Sequence, residues 1–264
     1  MNKILKIAGW AMFLGLVILM MGFVGGKYET TETSEPTVQI VKKGNHSFVS
    51  EDKVKSRLND LGYSFVGQEL REIELDRIES ELNEVPGVKS TEAYKYSDGT
   101  VHIEIKQRNP IARIVLKGGK MGCYLDDEGE VVPLSKDYIA KVPVFTGYIS
   151  EPYNAIPNVA EVTVNDSIAE LHIIDDIYLV AKALAADEFL TAQVVQVYVN
   201  KQGEFELIPR VGNHRILLGG ADDVSSKLKR LKTFYTSKDV NVKELNMYDT
   251  INLKYKNQLV CSNR

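Results

Sequence analysis

The sequence predicts an α+β protein in three parts. These are an N-terminal transmembrane helix, a small β-α-α-β-β domain, and a larger strand-rich β-domain with two or so helices. A long uncharged apolar run opens the chain, a few segments place apolar residues at helical spacing, and many more alternate apolar with polar residues as strands do. The 264 residues, 44% of them hydrophobic and 26% charged, are enough for two folded domains.

The apolar run covers residues 7–26, IAGWAMFLGLVILMMGFVGG, and contains no charged residue. As a helix it would rise about 30 Å, which is the thickness of a bilayer's hydrocarbon core. A cleaved signal peptide usually has a shorter apolar core and an A-x-A-like site, which this run lacks. A buried helix of a soluble protein is the other alternative. We expect a retained membrane anchor.

The flanking charges predict the orientation of this anchor. Lys3 and Lys6 precede the span and Lys27 follows it. Lysine bias decides orientation, so residues 1–6 are expected to be a cytoplasmic tail. Residues 27–36, KYETTETSEP, are polar and non-periodic, and they are expected to link the anchor to domains on the outer side.

The small domain is expected at residues 37–110. In order, its elements are a strand at 37–43, a helix opened by Ser50, a helix at about 69–84, and two strands within 88–108 that meet at Ser97-Asp98-Gly99. In the last strand, Val101, Ile103 and Ile105 alternate with polar residues. That alternation describes a sheet with one face in water.

The larger domain is expected at residues 111–264. Its strands are predicted at 111–118, 121–126, 130–134, 142–147, 193–200, 204–209, 214–219 and 247–261, and its helices at about 174–190 and 223–237. In the final strand, Ile251, Leu253 and Tyr255 alternate with polar residues. Basic residues in the last helix are interleaved with its apolar stripe, which favours a solvated face over a partner surface. Those residues are Lys227, Lys229, Arg230 and Lys232.

No group of residues has the pattern of a catalytic or cofactor site. Residues 126–130, DDEGE, lack the spacing of a calcium loop and are expected to form a hairpin turn. His172 with Asp175 and Asp176 could bind a metal, but the carboxylates could equally cap the following helix. The four histidines are scattered, and nucleophile-elbow and zincin motifs are absent. We therefore expect no enzymatic activity, metal, cofactor or small-molecule substrate, and the net charge of −4 argues against nucleic acid.

The two cysteines, Cys123 and Cys261, are far apart in sequence. Cys123 alternates with Met121 and Leu125, as a core residue of a strand would. An exported compartment can be oxidising, so a disulfide is an alternative. We expect two unpaired thiols.

The order of elements in residues 37–108 resembles a POTRA domain. Three segments carry the likeness: 44-GNHSFVSEDKVKSRL-58, 82-LNEVPGV-88 and 99-GTVHIEIKQRNPIA-112. POTRA domains occur in outer-membrane barrel assembly factors and in bacterial cell-division proteins. A barrel factor would need a long run of alternating transmembrane strands after the module, and this sequence has none.

Nearly the whole chain resembles the FtsQ/DivIB family of cell-division proteins. The second domain carries segments similar to that family's motifs: 122-GCYLDDEGEVVP-133, 142-VPVFTG-147, 216-ILLGGADDVSSKLKRL-231 and 251-INLKYKNQLV-260. The last segment has Asn252 and Lys254 where the family usually has Asp and Arg.

The resemblance implies a non-enzymatic scaffold at the division septum of the bacterial inner membrane, with its bulk in the periplasm. In the family, the POTRA module is implicated in septal recruitment. The last strand recruits small coiled-coil proteins, FtsB-like and FtsL-like. A terminal strand at a sheet edge exposes unpaired main-chain groups to which a partner strand can add. By position, the expected partner-binding residues are Lys254, Tyr255, Asn257 and Gln258, with a core-facing Tyr255 as the alternative.

Two other functions remain open at this point. A periplasmic chaperone or transport adaptor could bind extended peptides through POTRA edge pairing, and it would bind broadly without septal localisation. An anchored hydrolase would lose activity when one histidine or aspartate is changed.

Overall fold

The computed structural model shows a mixed α+β chain that divides into two compact units. One comprises residues 1–42 and 49–107, and the other comprises residues 43–48 and 108–264. The residues described are 2–29, 31–43, 48–119, 122–134, 139–150, 173–237 and 240–263.

The first helix, α1, spans Asn2–Glu29 and includes the predicted apolar run. Its described side chains, those of residues 7–20, are all exposed, among them Trp10 at 73%. Within the described ranges, no helix meets the combined length and hydrophobicity required of a membrane-crossing segment.

The smaller unit has the predicted β-α-α-β-β order. Its elements are β1 (Thr37–Val41), α2 (Glu51–Asp60), a 3-10 turn (Leu70–Glu72), α3 (Leu75–Asn83), β2 (Val88–Lys95) and β3 (Val101–Gln107). The strand order is β1-β3-β2, with β1 parallel and β2 antiparallel to the central strand. Val101, Ile103 and Ile105 are fully buried, which confirms the predicted alternation.

The ends of the helices in this unit follow from local chemistry. The Ser50 side chain accepts a hydrogen bond from the Lys53 amide and caps α2 as predicted. The second helix was predicted too long, because the chain is extended at Glu74 and α3 begins only after it. Leu70 belongs to the separate 3-10 turn and is buried there.

The larger unit contains a nine-stranded mixed sheet. Its first elements are β4 (Pro110–Ile114), β5 (Cys123–Asp126), β6 (Val131–Pro133), β7 (Val144–Gly147), α4 (Ile173–Ala185) and α5 (Glu188–Gln193). There follow β8 (Val194–Val199), β9 (Phe205–Pro209), β10 (Arg215–Gly219), α6 (Val224–Tyr235), α7 (Val242–Leu245), β11 (Tyr248–Asn252) and β12 (Val260–Asn263). The strand order is β12-β11-β10-β9-β8-β7-β4-β5-β6.

One hydrophobic cluster joins the helices of this unit to its sheet. Ile177 from α4 and Leu231 from α6 belong to the same buried cluster as Phe205 from β9 and Ile251 from β11. Burying side chains of this size stabilises a fold by about 1.5–3 kcal/mol each before entropy is counted. The cluster therefore fixes α6 against the β10–β11 end of the sheet.

Two predicted elements of the larger unit were wrong. The helix predicted at 174–190 is two helices, because the Asp187 carboxylate accepts from the Leu190 amide and starts α5 as a new N-cap. The strand predicted at 247–261 is a hairpin formed by β11 and β12. The short helix α7, which begins with a capping box at Asn241, was not predicted.

Both cysteines are free. Cys123 is fully buried in β5, and desolvation raises the pKa of its thiol to about 12. Cys261 lies on β12 and is partly buried, and burial also raises the pKa of its thiol. The expectation of unpaired thiols is confirmed.

Candidate partner-binding edge

The last strand, β12, lies at one end of the nine-stranded sheet. Among the strands described, it pairs only with β11, antiparallel, with Cys261 opposite Ile251. The Thr250 and Ser262 hydroxyls, which are opposite each other in this register, form a hydrogen bond across the pair. One side of β12 is therefore an edge of the sheet.

The direction of the main-chain groups on β12 follows from β11. The Leu253 amide donates to the Leu217 carbonyl of β10 at 2.9 Å, so this residue's main chain faces β10. Main-chain groups alternate along a strand, so those of Thr250 and Asn252 face β12. The register places Thr250 opposite Ser262 and Asn252 opposite Val260, so these pairs share main-chain hydrogen bonds. Cys261 lies between Val260 and Ser262, and its N–H and C=O therefore point away from β11.

The side chains of β12 also have two faces. Leu259, just before the strand, and Cys261 pack against the hydrophobic cluster. Val260 is 43% exposed, and Ser262 and Asn263 are exposed. An added strand would meet an apolar strip on the core side and a more polar strip on the other.

The four predicted partner-binding residues lie together on one loop. Lys254, Tyr255, Asn257 and Gln258 are all exposed, and they occupy the connection between β11 and β12 and not a strand. Tyr255 is 55% exposed, so the alternative that it faces the core is wrong. The loop turns at Asn257, whose φ is +59°.

Both the side chain and the main-chain amide of Lys254 are bound by other residues of the chain. Its Nζ forms a 2.6 Å ion pair with Glu204 Oε2, and its amide donates to Asn252 Oδ1 at 2.9 Å. The hydrogen bond from Lys254 is the main reason that the pKa of Glu204 is lowered. The Lys254 side chain crosses Gly219, where a Cβ would lie 3.1 Å from its Cγ. Of the four residues, Lys254 is the one tied back to the sheet.

Arg230 of α6 holds the main chain of the same loop. Its Nη1 donates to the carbonyls of Tyr255 at 2.8 Å and Gln258 at 2.9 Å, and its Nη2 donates to Leu253 O at 3.2 Å. The sequence did not predict this contact. Arg230 stands in a run of basic residues, and no local pattern separates it from its neighbours.

The expectation of a solvated basic face was wrong for two residues of α6. Arg230 is half-buried, and Lys227 is 5% exposed. The Lys227 ammonium donates to the Gly220 carbonyl and to Asp222. These contacts explain why a cation is tolerated at a buried position.

An open groove runs beside the loop. Its lining residues are Ser226, Lys229, Arg230, Thr233, Phe234, Ser237, Val240, Asn257 and Leu259. It combines apolar side chains with the exposed ammonium group of Lys229 from α6. Such a surface suits an apolar segment that carries a negative charge.

The other polar sites of the larger unit have structural explanations. His214 is buried and its Nε2 lies 2.7 Å from the Tyr235 hydroxyl. Burial lowers the pKa of His214 and raises the pKa of Tyr235 to about 12. Residues 126–130 form the predicted turn, in which the Asp126 carboxylate accepts from two main-chain amides.

The metal candidate at His172 lies outside the described residues. Across the described ranges, no group of three or more His, Cys, Asp or Glu side chains is arranged to hold a metal ion.

Comparison with known protein families agrees with this architecture. The family described as "FtsQ/DivIB, C-terminal related" matches residues 109–262, and the POTRA-like domain matches residues 33–106. A comparison with curated proteins found no match. Because the first match covers more than half of the 264 residues, the chain belongs to the FtsQ/DivIB family of non-catalytic, division-site membrane proteins, with a role in cell division.

Proposed function

We propose that this protein is a membrane-anchored, non-enzymatic scaffold of the division machinery that recruits its partners by strand addition at β12. The observation that carries the proposal is the edge of the nine-stranded sheet at β12, which no other described strand covers and where the main-chain groups of Cys261 point away from β11. An exposed strand edge is a ready template for another chain. Main-chain hydrogen bonds supply affinity and flanking side chains supply specificity.

The surroundings of this edge add specificity. Tyr255, Asn257 and Gln258 are exposed at one end of β12, within reach of a partner that continues past the strand. The groove next to them offers Phe234 and Leu259 with Lys229. A helix that precedes or follows the added strand could place apolar and acidic side chains there. Small coiled-coil membrane proteins of the FtsB-like and FtsL-like kind supply such segments, and we propose them as the partners.

The proposed anchor rests on the apolar sequence of residues 7–26, which contains no charged residue. As a helix, these 20 residues would rise about 30 Å, the thickness of a bilayer core. Every described side chain between residues 7 and 20 is exposed, and nearly all are apolar. We propose one pass through the inner membrane with residues 1–6 in the cytoplasm and both folded units in the periplasm at the septum. The predicted linker at residues 27–36 is not part of this proposal, because α1 extends to Glu29 and the main chain of Thr33 is hydrogen-bonded to Gln68 and Gly67 of the smaller unit.

The test is co-purification of the full-length chain, in detergent, with the FtsB-like and FtsL-like proteins encoded by the same genome. Cys261→Pro removes the outward N–H, and proline is tolerated on edge strands when that N–H faces solvent. Cys261→Val is the matched control, since it keeps the N–H and an apolar side chain. Losing one edge hydrogen bond and closing the strand to pairing should weaken capture about tenfold or more in the proline variant. The valine variant should bind like the parent.

Thermal unfolding of both variants checks that each remains folded. Equal capture by the proline and valine variants would contradict strand addition at β12. If the parent recovers neither small protein but binds diverse unfolded polypeptides, the chaperone alternative replaces the scaffold. A further variant, Tyr255→Ala, should weaken capture by a smaller factor because it leaves the edge intact.

A further inference from the structure

We infer that Arg230 is the positioning residue of the docking edge and sets the point at which a partner strand must begin. This inference rests on the proposed function and concerns the same surface. Arg230 touches neither β12 nor the open side. It acts through the loop that leads into β12.

One guanidinium group satisfies three carbonyls spread over six residues. Leu253, Tyr255 and Gln258 each present a carbonyl oxygen within 3.2 Å of an Arg230 nitrogen. Guanidinium is planar, always charged and carries five N–H donors in a fixed arrangement. Three accepted bonds therefore hold the loop in one conformation.

The Arg230 guanidinium and its three hydrogen bonds, here called the clamp, belong to a helix that is packed into the hydrophobic cluster. The flanking residues Leu228 and Leu231 are 2% and 0% exposed within the main hydrophobic cluster. Lys227, one turn earlier, is buried and hydrogen-bonded.

At the start of the loop, Lys254 is bound to Asn252 and Glu204. Beyond Lys254, the main chain of the loop adds a 3.3 Å hydrogen bond from Gln258 N to Tyr255 O. The part of the loop from Tyr255 to Gln258 is therefore ordered mainly from α6.

The clamp also limits which main-chain groups a partner can use. The carbonyls of Tyr255 and Gln258 are directed at Arg230, so they are not presented to a strand that adds to β12. Pairing is confined to Val260–Asn263. Because β12 has four residues, a fitting partner segment is extended and about four residues long. The side chains of that segment would alternate between the two faces of the sheet. Its core-side residues should be apolar, because they meet Leu259 and Cys261.

A second consequence is that the clamp lowers the entropy that binding must still remove. An ordered edge binds more tightly than one that must be ordered on contact. Hydrogen bonds from a charged donor are worth roughly a tenfold to hundredfold change in an equilibrium constant. Releasing the loop should therefore weaken partner capture by about that factor.

The two native thiols provide a test within the protein. Cys261 lies on the docking edge and Cys123 is fully buried in the same sheet. Burial raises the pKa of both thiols, so each reacts slowly while its surroundings stay closed. The rate of labelling by a maleimide, followed by mass spectrometry at one mildly alkaline pH, reports on opening of β12, with Cys123 as the internal reference.

The variants are Arg230→Ala, Arg230→Lys and, as the matched control, Lys229→Ala. Lys229 is the exposed neighbouring cation of the same groove, and it makes none of the three carbonyl contacts. Arg230→Ala should raise the Cys261 labelling rate about tenfold or more and leave the Cys123 rate unchanged. Arg230→Lys should restore only part of the protection, since one ammonium cannot reproduce the planar fork. Lys229→Ala should label like the parent.

Capture of the FtsB-like protein is then measured on the two Arg230 variants and the parent; Lys229→Ala serves as a control for labelling alone, because Lys229 lines the groove proposed to contact the partner. Weaker capture by Arg230→Ala, with partial recovery in Arg230→Lys, supports the positioning role. Unchanged Cys261 labelling in Arg230→Ala would overturn the inference whether or not the partner binds. Faster labelling with unchanged capture would overturn the link to docking. If the parent captures no partner, the labelling result still decides whether Arg230 orders the edge, so failure of the proposed function is distinguishable.

Discussion

The two ends of the nine-stranded sheet are built differently. β6 has three residues and ends in Pro133, which has no N–H to offer a passing strand. β12 has four residues, no proline, and a central residue whose main-chain groups face outward. Short strands and proline are standard protection against unwanted pairing. The difference fits the proposal that β12, and not β6, is the edge used for docking.

The two ends are also secured by opposite charges. At the β6 end, the buried Asp126 carboxylate accepts from the amides of Glu128 and Glu130 and from Arg108 Nη1. At the β12 end, the Arg230 guanidinium donates to three carbonyls. The carboxylate is 1% exposed, while the arginine is half-buried. The hairpin at the β6 end is thus held by a buried carboxylate acceptor, and the loop at the β12 end is held by a more accessible guanidinium donor.

The largest expected effect on stability is at the β6 end of the sheet. Asp126→Ala would leave two turn amides and Arg108 without their acceptor, at a cost of about 3 kcal/mol in the free energy of unfolding. Urea denaturation measures this loss. Asp126→Asn, which keeps one acceptor oxygen, should cost less. If the two ends are independent, Cys261 labelling under native conditions should not change, and a large acceleration would show that the ends are coupled.

A smaller effect is expected where Lys254 crosses the sheet. Gly219 has a φ of +79°, and an added Cβ would crowd the Lys254 side chain. Gly219→Ala should cost about 1–2 kcal/mol of unfolding free energy for the left-handed backbone and the displaced lysine. Gly118→Ala is the matched control. Its φ is +83° and the described atoms leave its Cβ position open, so only the backbone cost applies. Equal losses would mean that the Lys254 contact contributes nothing.

The smallest effect is a pH dependence on the β12 side. Burial lowers the pKa of His214 in the folded state, whereas the unfolded side chain titrates near its ordinary value of about 6.5. Below that value the unfolded chain binds the proton and the folded chain resists it, so stability is lost as the pH falls. Unfolding free energies between about pH 7 and pH 5 should therefore decline in the parent. The decline should be less steep in His214→Gln, and equal slopes would contradict this assignment.

Much of the fold could be predicted because local patterns and tertiary structure agree. The alternation of Val101, Ile103 and Ile105 matches their burial, and Ser50 caps a helix as its type favours. The final strand shows where such a pattern fails. Ile251 and Leu253 are buried, but Tyr255 continues the alternation only by chance after the chain has left the strand. The left-handed residue that follows is an asparagine, which is the one local signal of the turn.

The candidate site was harder to predict than the fold. Its four residues could be placed near each other because they are consecutive or nearly so. The role of Arg230 could not be predicted, because its partners lie at least 23 residues away and are carbonyls, which any residue type provides. Lys254 was expected to face a partner, but its ion pair with Glu204 joins positions 50 residues apart. Such contacts depend on tertiary packing and leave no periodic trace in the sequence.

Because β12 follows all the other strands of the sheet in the chain, the proposed docking edge forms late in synthesis. Residues 260–263 are synthesised after all the other strands of the sheet, and β12 rests on β11, which itself needs β10 and α6 in place. A nascent or partly translocated chain has its earlier strands but lacks this edge. Recruitment through β12 would then begin only after the sheet is assembled, so that an unfinished molecule would not enter the division complex.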